Sequence, residues 1–490
     1  MATLELGSLA QVGVADAPGA RQQARAALRL RLRATANLTF NKTQMDTLPL
    51  FIDAPGATAG RVYEQLTARC RAVVVRAAPI PNVPRNKQPR WEHVMTGDAV
   101  RATGFAGSQA LLPYDARSFQ GYRLLQEYFA FPQRFLFVEL SGLAPAMAKA
   151  EVSAIDVTFL FDAEDVELDG KVDAQTFRAH CTPAVNLFPK RADRIFVSDR
   201  ATEFHVVADR TRPLDYEVHR VLRVTGFAAG GAEVEFLPFY AARDASADGS
   251  GERAYFSTFR QPRALSEREQ QEGRRSRYTG SDVYVSLVDA AAAPYSPDIK
   301  QLAVETLCTN RDLPLQMPVG KGSTDFTLQI AAPVKGVRVR AGPTSPRASH
   351  AEGDASWRLI SHLSLNYATL LDLDERHGAG ALREMLRLYA DHADPSVRQQ
   401  VEAVRNIAMR PIVRRVPGPG PITFARGLEV TLTVDETSFS GAGAMVFGHV
   451  MEQFFARYVS VNSFTETALR TVERGEIMRW AARVGDRPIF

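Results

Sequence analysis

Apolar and polar positions change period several times along the chain, and each change marks an element. Ala26 to Thr35 alternates strictly, with Leu28, Leu30 and Leu32 on one side and Arg29, Arg31 and Arg33 on the other, which predicts a half-buried strand. Leu48 to Ile52 reads as a second strand. Thr58 to Arg71 spaces Val62, Leu66 and Cys70 by four and predicts a helix, followed by a strand over Ala72 to Ala77. Arg117 to Phe129 reads as a helix stopped near Pro132, and Phe135 to Leu140 and Val152 to Leu160 read as strands. Tyr114, Phe119, Tyr122, Tyr128, Phe129, Phe131, Phe135 and Phe137 crowd this stretch, with Arg117, Arg123, Glu127 and Arg134 between them. Rings gain most when fully buried, so the stretch predicts a packing element or contact surface.

Beyond Cys181 the pattern becomes short strands separated by turns: Ile195 to Val197, Glu203 to Val207, Tyr216 to Val224, Ala232 to Phe236, Ala254 to Phe259 and Val283 to Val288. Thr324 to Ile330 (TDFTLQI) and Val337 to Val339 are expected to complete that sheet. Ala241 to Gly251 is small, polar and acidic, which predicts a loop. Ala341 to Ala355 has no apolar periodicity and reads as a linker. After it come a helix within Trp357 to Leu371 and an amphipathic helix over Gly380 to His392. A third helix opens at Asp394-Pro395, with Val397, Val401, Val404 and Ile407 on one face. Val416 to Pro421 is a breaker and Gly427 to Val434 a strand. Ala442 to Val459 is a helix striped by Phe447, Val450, Phe454 and Tyr458. The expected fold is a β-rich, multidomain α+β chain. Its parts are a β-domain with covering helices over residues 1–180, a β-rich middle domain over 181–340, the linker at 341–355, and an α+β C-terminal domain over 356–490.

At 490 residues the chain exceeds a single core. The balance of 59 basic against 55 acidic residues gives a net charge of +4 and disfavours a nucleic-acid binder, which concentrates a basic face. The densest basic run, Arg268 to Arg277, also holds Glu269 and Glu272, as a solvated loop does. Cys70, Cys181 and Cys308 are far apart and form no CxxC, which fits a reducing cytosol. No long uninterrupted apolar window predicts a membrane-spanning helix, and the first residues lack the basic and apolar regions of a signal peptide.

Candidate chemistry is sparse. The nine histidines form no HxH, HExxH or HxxxH, so no metal is expected. His362 and Asn366, four apart on an expected helix, read as a structural pair. Val319 to Ser323 (VGKGS) departs from the phosphate-loop pattern and reads as a turn, and Gly226 to Gly231 lies between strands and reads as a hairpin. Ser440 to Met445 (SGAGAM) precedes a helix whose first amides could hold an anion, but glycine also serves tight turns, and that reading is favoured. Acids cluster at Asp162 to Asp169 and Asp372 to Glu375; paired carboxylates there leave a β-rich carbohydrate-active enzyme as the alternative, against loop ends. No catalytic and no cofactor-binding residue is assigned.

Several long segments, in order, resemble the TssF family of the bacterial type VI secretion system. They are Phe119 to Leu143, Cys181 to Asp193 (CTPAVNLFPKRAD), Asp209 to Val221 (DRTRPLDYEVHRV), Trp357 to Asp372, Ser440 to Thr471 and Arg474 to Trp480 (RGEIMRW). Against that family the chain reads as N-terminally shortened, without helices that help form a bundle with TssG. The resemblance implies a non-enzymatic, cytoplasmic wedge component of the baseplate, similar to contractile-phage baseplate wedge proteins. Two TssF copies would embrace one TssG, with TssK and TssE in the same wedge. The wedges would surround a hub-spike, support sheath assembly and contraction, and dock at the inner-membrane complex without inserting in the membrane. The outer residues of the C-terminal region, Arg457, Arg470 and Arg474, are the candidate partner contacts, while the helix stripe faces its own core.

Overall fold

The computed structural model describes residues 4–7, 24–35, 38–114, 119–198, 200–239, 254–264, 271, 276–289, 298–348, 356–357, 379–390, 395–415, 424–439, 441–459 and 463–485. The chain divides into two compact units, one built from Met1–Pro183 together with His362–Phe490 and the other from Ala184–Ser361. The segments read as a first and a last domain therefore belong to one unit, and the middle region is the other.

In the first unit a five-stranded sheet runs β1 (Leu4–Gly7), β2 (Ala26–Arg33), β8 (Ala154–Phe161), β4 (Cys70–Ala77) and β5 (Glu92–Thr96). The strand β1 lies ahead of the first one expected. Ile155 to Phe161 of β8 are all buried, which matches their almost unbroken apolar run. The one charged residue in it, Asp156, is offset by Arg31 opposite it, whose guanidinium donates at 2.7 and 2.9 Å. One arginine of the face expected to be wet thus neutralises a buried carboxylate. A second sheet joins β6 (Val100–Ala102), β7 (Phe137–Leu140), β3 (Leu48–Ile52) and β9 (Phe177–Arg178).

Helix α1 (Ala57–Glu64) passes into a single wide turn over Gln65–Arg69, so Cys70 opens β4 instead of ending the expected helix. Helices α2 (Gln120–Ala130), α3 (Ala144–Ala148), α4 (Gly380–Ala390) and α5 (Pro395–Glu402) follow. The proline-initiated α5 stops at Glu402. Val404 and Ile407, expected on its face, lie instead in β18 (Val404–Arg415), where β-branched side chains pack against a neighbouring strand. The strand pairs along its whole length with β19 (Phe424–Val434). A helix α6 (Ala444–Tyr458) then crosses back to β20 (Phe464–Thr471), which runs parallel to β19, and β21 (Gly475–Arg479) and β22 (Arg483–Val484) both flank β20. The β20–β21 hairpin was not evident from the sequence.

Of α6 every residue except Arg457 is buried, more than the single stripe of the sequence reading. A helix buried on every face is covered on every face, its few polar residues, His449, Glu452 and Gln453, included. Phe454 meets Phe119 and Tyr122 of the aromatic segment, Phe447 meets Tyr128, and Phe129 stacks on Tyr389 of α4. Residues from both ends of the sequence therefore share one core. At the N-terminus of α6, Gly443 has φ of 86° and lies against Gly60 of α1 so closely that a Cβ on either would strike the other segment's backbone. The glycines of SGAGAM permit a turn and a close crossing, as their sequence suggests.

The second unit is one eight-stranded sheet: β10 (Phe188–Arg191), β17 (Ile299–Thr309), β13 (Glu217–Ala228), β14 (Glu233–Pro238), β15 (Ala254–Pro262), β16 (Ser281–Asp289) and β12 (Phe204–His205), with β11 (Ile195–Phe196) also on β17. The hairpin through Gly226 to Gly231 is present. Strand β17, which the sequence reading omitted, lies between β13 and the edge strands β10 and β11 and buries Leu302, Val304, Thr306 and Cys308. The segment Thr324 to Ile330 does not join the sheet; it makes one isolated bridge, Phe326 to Val337. The expected loops Ala241 to Gly251 and Val416 to Pro421, the helix within Trp357 to Leu371 with His362 and Asn366, and the acids Asp372 to Glu375 lie outside the described residues or nearly so.

Candidate partner-binding site

The aromatic segment is interior. Tyr122, Leu124, Leu125, Tyr128, Phe129, Phe135, Leu136, Val138, Leu140 and Leu143 are all buried. Arg123, Glu127 and Arg134 are buried too, and this feature was not foreseen. Arg123 of α2 donates to Glu127 one turn on at 3.0 Å, and Arg134 pairs with the same carboxylate. Glu127 also accepts the amides of Leu111 and Leu112 at 2.9 and 3.1 Å. Arg134 spends further donors on the carbonyls of Gly104 and Gln109. Burial, and then the nearness of Arg123, brings Arg134 down to about 10. Two guanidiniums and one carboxylate thus staple the 104–112 loop onto α2, and the i, i+4 spacing of Arg123 and Glu127 was the available signal.

The three candidate contact arginines separate. Arg457 donates to the carbonyls of Gln453 and Phe105, both at 2.8 Å, and so joins α6 to the same loop. Arg474 forks between two carboxylates, reaching Glu64 of α1 at 2.6 and 2.8 Å and Glu436 at 2.6 and 2.8 Å. Those hydrogen bonds hold its guanidinium well above the usual arginine range. Both are internal ties. Arg470 is exposed on β20. Around it the sheet carries a charge ladder: Arg414 reaches Glu466 at 2.9 Å, Arg479 reaches Glu429 at 2.5 Å and Glu476 at 2.8 Å, and Arg410 pairs with Glu429.

Asp162 and Asp165 of the acidic run are engaged as well. Arg71 donates to Asp162 at 2.7 Å, Arg61 to Asp165 at 3.1 Å, and Asp165 caps the turn at Glu167. His449 is buried against Trp480 and 3.0 Å from the Tyr63 hydroxyl, and burial lowers it to about 3. Next to it, burial raises Glu452 despite the Arg483 guanidinium at 2.7 Å. No group of three or more metal-ligating side chains occurs among the described residues. The VGKGS stretch is an exposed turn closed by Asp325, which accepts the Gly320 amide at 2.7 Å.

The family model described as "Type VI secretion system, TssF" matches residues 6–487. The chain belongs to the TssF family. It is 51% identical over 466 residues to the type VI secretion system component TssF1 of Pseudomonas aeruginosa PAO1, covering 95% of this chain and 73% of that protein. In fold this TssF-family chain is similar to a chain in a cryo-electron microscopy structure of the type VI secretion system TssK-TssF-TssG baseplate subcomplex. There the TM-score is 0.69 at 24% identity, over 99% of this chain and 82% of the other. The β-rich α+β architecture is thus that of TssF, and no described helix is long and apolar enough to cross a membrane.

Proposed function

We propose that this TssF-family chain is a non-enzymatic wedge component of the type VI secretion baseplate, assembling with TssG and TssK. The carrying observation is the 51% identity to a type VI component over nearly the whole chain. The fold similarity to a TssK-TssF-TssG subcomplex adds to it. Two copies would hold one TssG, with TssE, the hub-spike and the sheath as further neighbours and the inner-membrane complex as the docking place of the whole baseplate. A scaffolding role also agrees with the chemistry of Asp162 and Asp165, which are held by Arg71, Arg61 and a capped turn. On the C-terminal sheet Arg470 is the proposed partner contact. Arg457 and Arg474 serve it indirectly, by fixing α6 and the β20–β21 hairpin. Co-expression with TssG and TssK followed by affinity capture on TssG tests the assignment. Stable co-elution of all three is expected, and a chain that elutes alone overturns it.

A further inference from the structure

The hairpin of β18 and β19 reaches farther than the sheet it belongs to. Its two strands pair without a break from Ile407 and Leu432 out to Arg415 and Phe424, and β20 begins only opposite Gly427. Three cross-strand pairs lie beyond that point: Val413 with Arg426, Arg414 with Ala425, and Arg415 with Phe424. Among the described residues no third strand flanks them. The root of this arm is fixed. Ser463 Oγ donates to the Arg426 carbonyl at 2.9 Å, and the Arg414 guanidinium reaches Glu466 of β20 at 2.9 Å.

Directly opposed residues of an antiparallel pair share a face. Val413, Arg415, Phe424 and Arg426 therefore form one quartet, with the apolar side chains on one diagonal and the guanidiniums on the other. Further along the same face Ile407, Val430 and Leu432 are buried. On the arm Val413 is 59% and Phe424 67% exposed, and both arginines are exposed. A two-stranded ribbon is marginal in water by itself, and an aromatic ring on it gains most from being covered. Neither the Arg415 nor the Arg426 guanidinium has a partner among the described residues. The stretches 411–415 (PIVRR) and 424–428 (FARGL) contain no acid. The adjoining acids of the sheet are taken, Glu429 by Arg410 and Arg479, and Glu466 by Arg414.

We propose that this arm docks, side chains first, in an acid-rimmed apolar groove of a neighbouring subunit in the complex with TssG and TssK. Val413 and Phe424 enter the groove, and Arg415 and Arg426 pair with carboxylates at its rim. The proposal rests on the assembly reading above and names a contact surface for it. Charge selects the occupant: two unpaired guanidiniums beside exposed apolar side chains are complementary to carboxylates beside an apolar surface, and arginine and aromatic residues are common anchors of such contacts. Strand addition to the arm is disfavoured, because the edge strand β18 carries Pro411, which lacks the donor a new ladder needs. Self-pairing of the arm about a two-fold axis is disfavoured too, because it sets Arg415 and Arg426 against their own copies.

Co-expression with TssG and TssK and capture on TssG tests the arm, using wild type, Phe424→Ala and the double variant Arg415→Glu/Arg426→Glu. All should melt alike, because the altered side chains are exposed. Both variants should be captured at least about tenfold more weakly. Wild-type capture should weaken as salt rises from about 0.1 to 1 M, which shortens the Debye length from about 10 to 3 Å, and Arg415→Gln/Arg426→Gln should show less of that dependence. Hydroxyl-radical footprinting of wild type should oxidise Phe424 in the isolated chain and spare it in the complex, a readout that stands even where a variant unfolds. Variants captured like wild type, salt dependence unchanged in the double-Gln variant, or Phe424 oxidised equally in the complex overturn the docking arm and leave the assembly reading intact. Phe424 already spared in an isolated dimeric chain assigns the arm to a second copy. Flotation of wild type, but not of the double-Glu variant, with phosphatidylserine vesicles assigns it to a membrane surface. Either result overturns the proposal. Wild type that captures neither TssG nor TssK overturns the assembly reading and this proposal with it.

Discussion

Glu127→Gln should destabilise the first unit by about 3 kcal/mol, the lower end of the cost of breaking a buried ion pair. The substitution keeps the shape and one acceptor oxygen for the Leu111 and Leu112 amides. It removes the carboxylate charge that, among the described residues, pairs with both Arg123, at 0% exposure, and Arg134, at 1%. The cost falls at the lower end because both guanidiniums keep other partners: Arg134 the carbonyls of Gly104 and Gln109, and Arg123 the Gln120 side chain at 3.0 Å. The assay is urea denaturation followed by the fluorescence of Trp91 and Trp480, both in the first unit, since a chain of two units need not unfold in one step. Hydrogen exchange at Leu111 and Leu112 gives the local readout and should accelerate with the global loss. An unfolding free energy within about 1 kcal/mol of wild type would show that the two buried arginines do not need this carboxylate, and the staple would have to be abandoned.

Phe454→Ala should cost about 3–5 kcal/mol by the same denaturation assay, because the ring is fully buried among Phe119, Tyr122 and Tyr458. The His449 ring sits near pKa 3 folded against about 6.5 unfolded, so the unfolded state binds the extra proton between those values. Stability is then full above pH 6.5 and falls by about 1.4 kcal/mol per pH unit below it, and His449→Gln should flatten that slope in denaturation curves taken from pH 7 to 5. Arg470→Glu should leave the melting temperature unchanged and reduce capture by TssG. Arg474→Ala should instead lower stability by on the order of 1–2 kcal/mol, through loss of its bonds to Glu64 and Glu436, so the two arginines are told apart by setting melts beside capture.

Elements with a clean period were legible: β2, β3, α4, α6 and the hairpin after β13 stand where alternation or four-residue spacing put them. What escaped depended on distant sequence. Val404 and Ile407 continue a helical spacing, and only pairing with Val434 and Leu432 of β19 makes them a strand. Nothing in the aromatic segment reveals that its partner is α6, more than three hundred residues later, so the joint core of the two chain ends was invisible. The contact arginines illustrate the same limit. Arg457, Arg470 and Arg474 look alike as surface cations, and only the positions of Phe105, Glu64 and Glu436 show that two of them are spent inside the chain. Thr324 to Ile330 failed in the opposite way: its pattern is that of a strand, and among the described residues the chain supplies it with no more than the single bridge from Phe326 to Val337.

Native mass spectrometry of the complex formed on co-expression with TssG and TssK tests the wedge assignment most directly. The account predicts an assembly containing two copies of this chain for each TssG, with TssK bound. A single copy per TssG, or a chain that stays free of both proteins while properly folded, would contradict it.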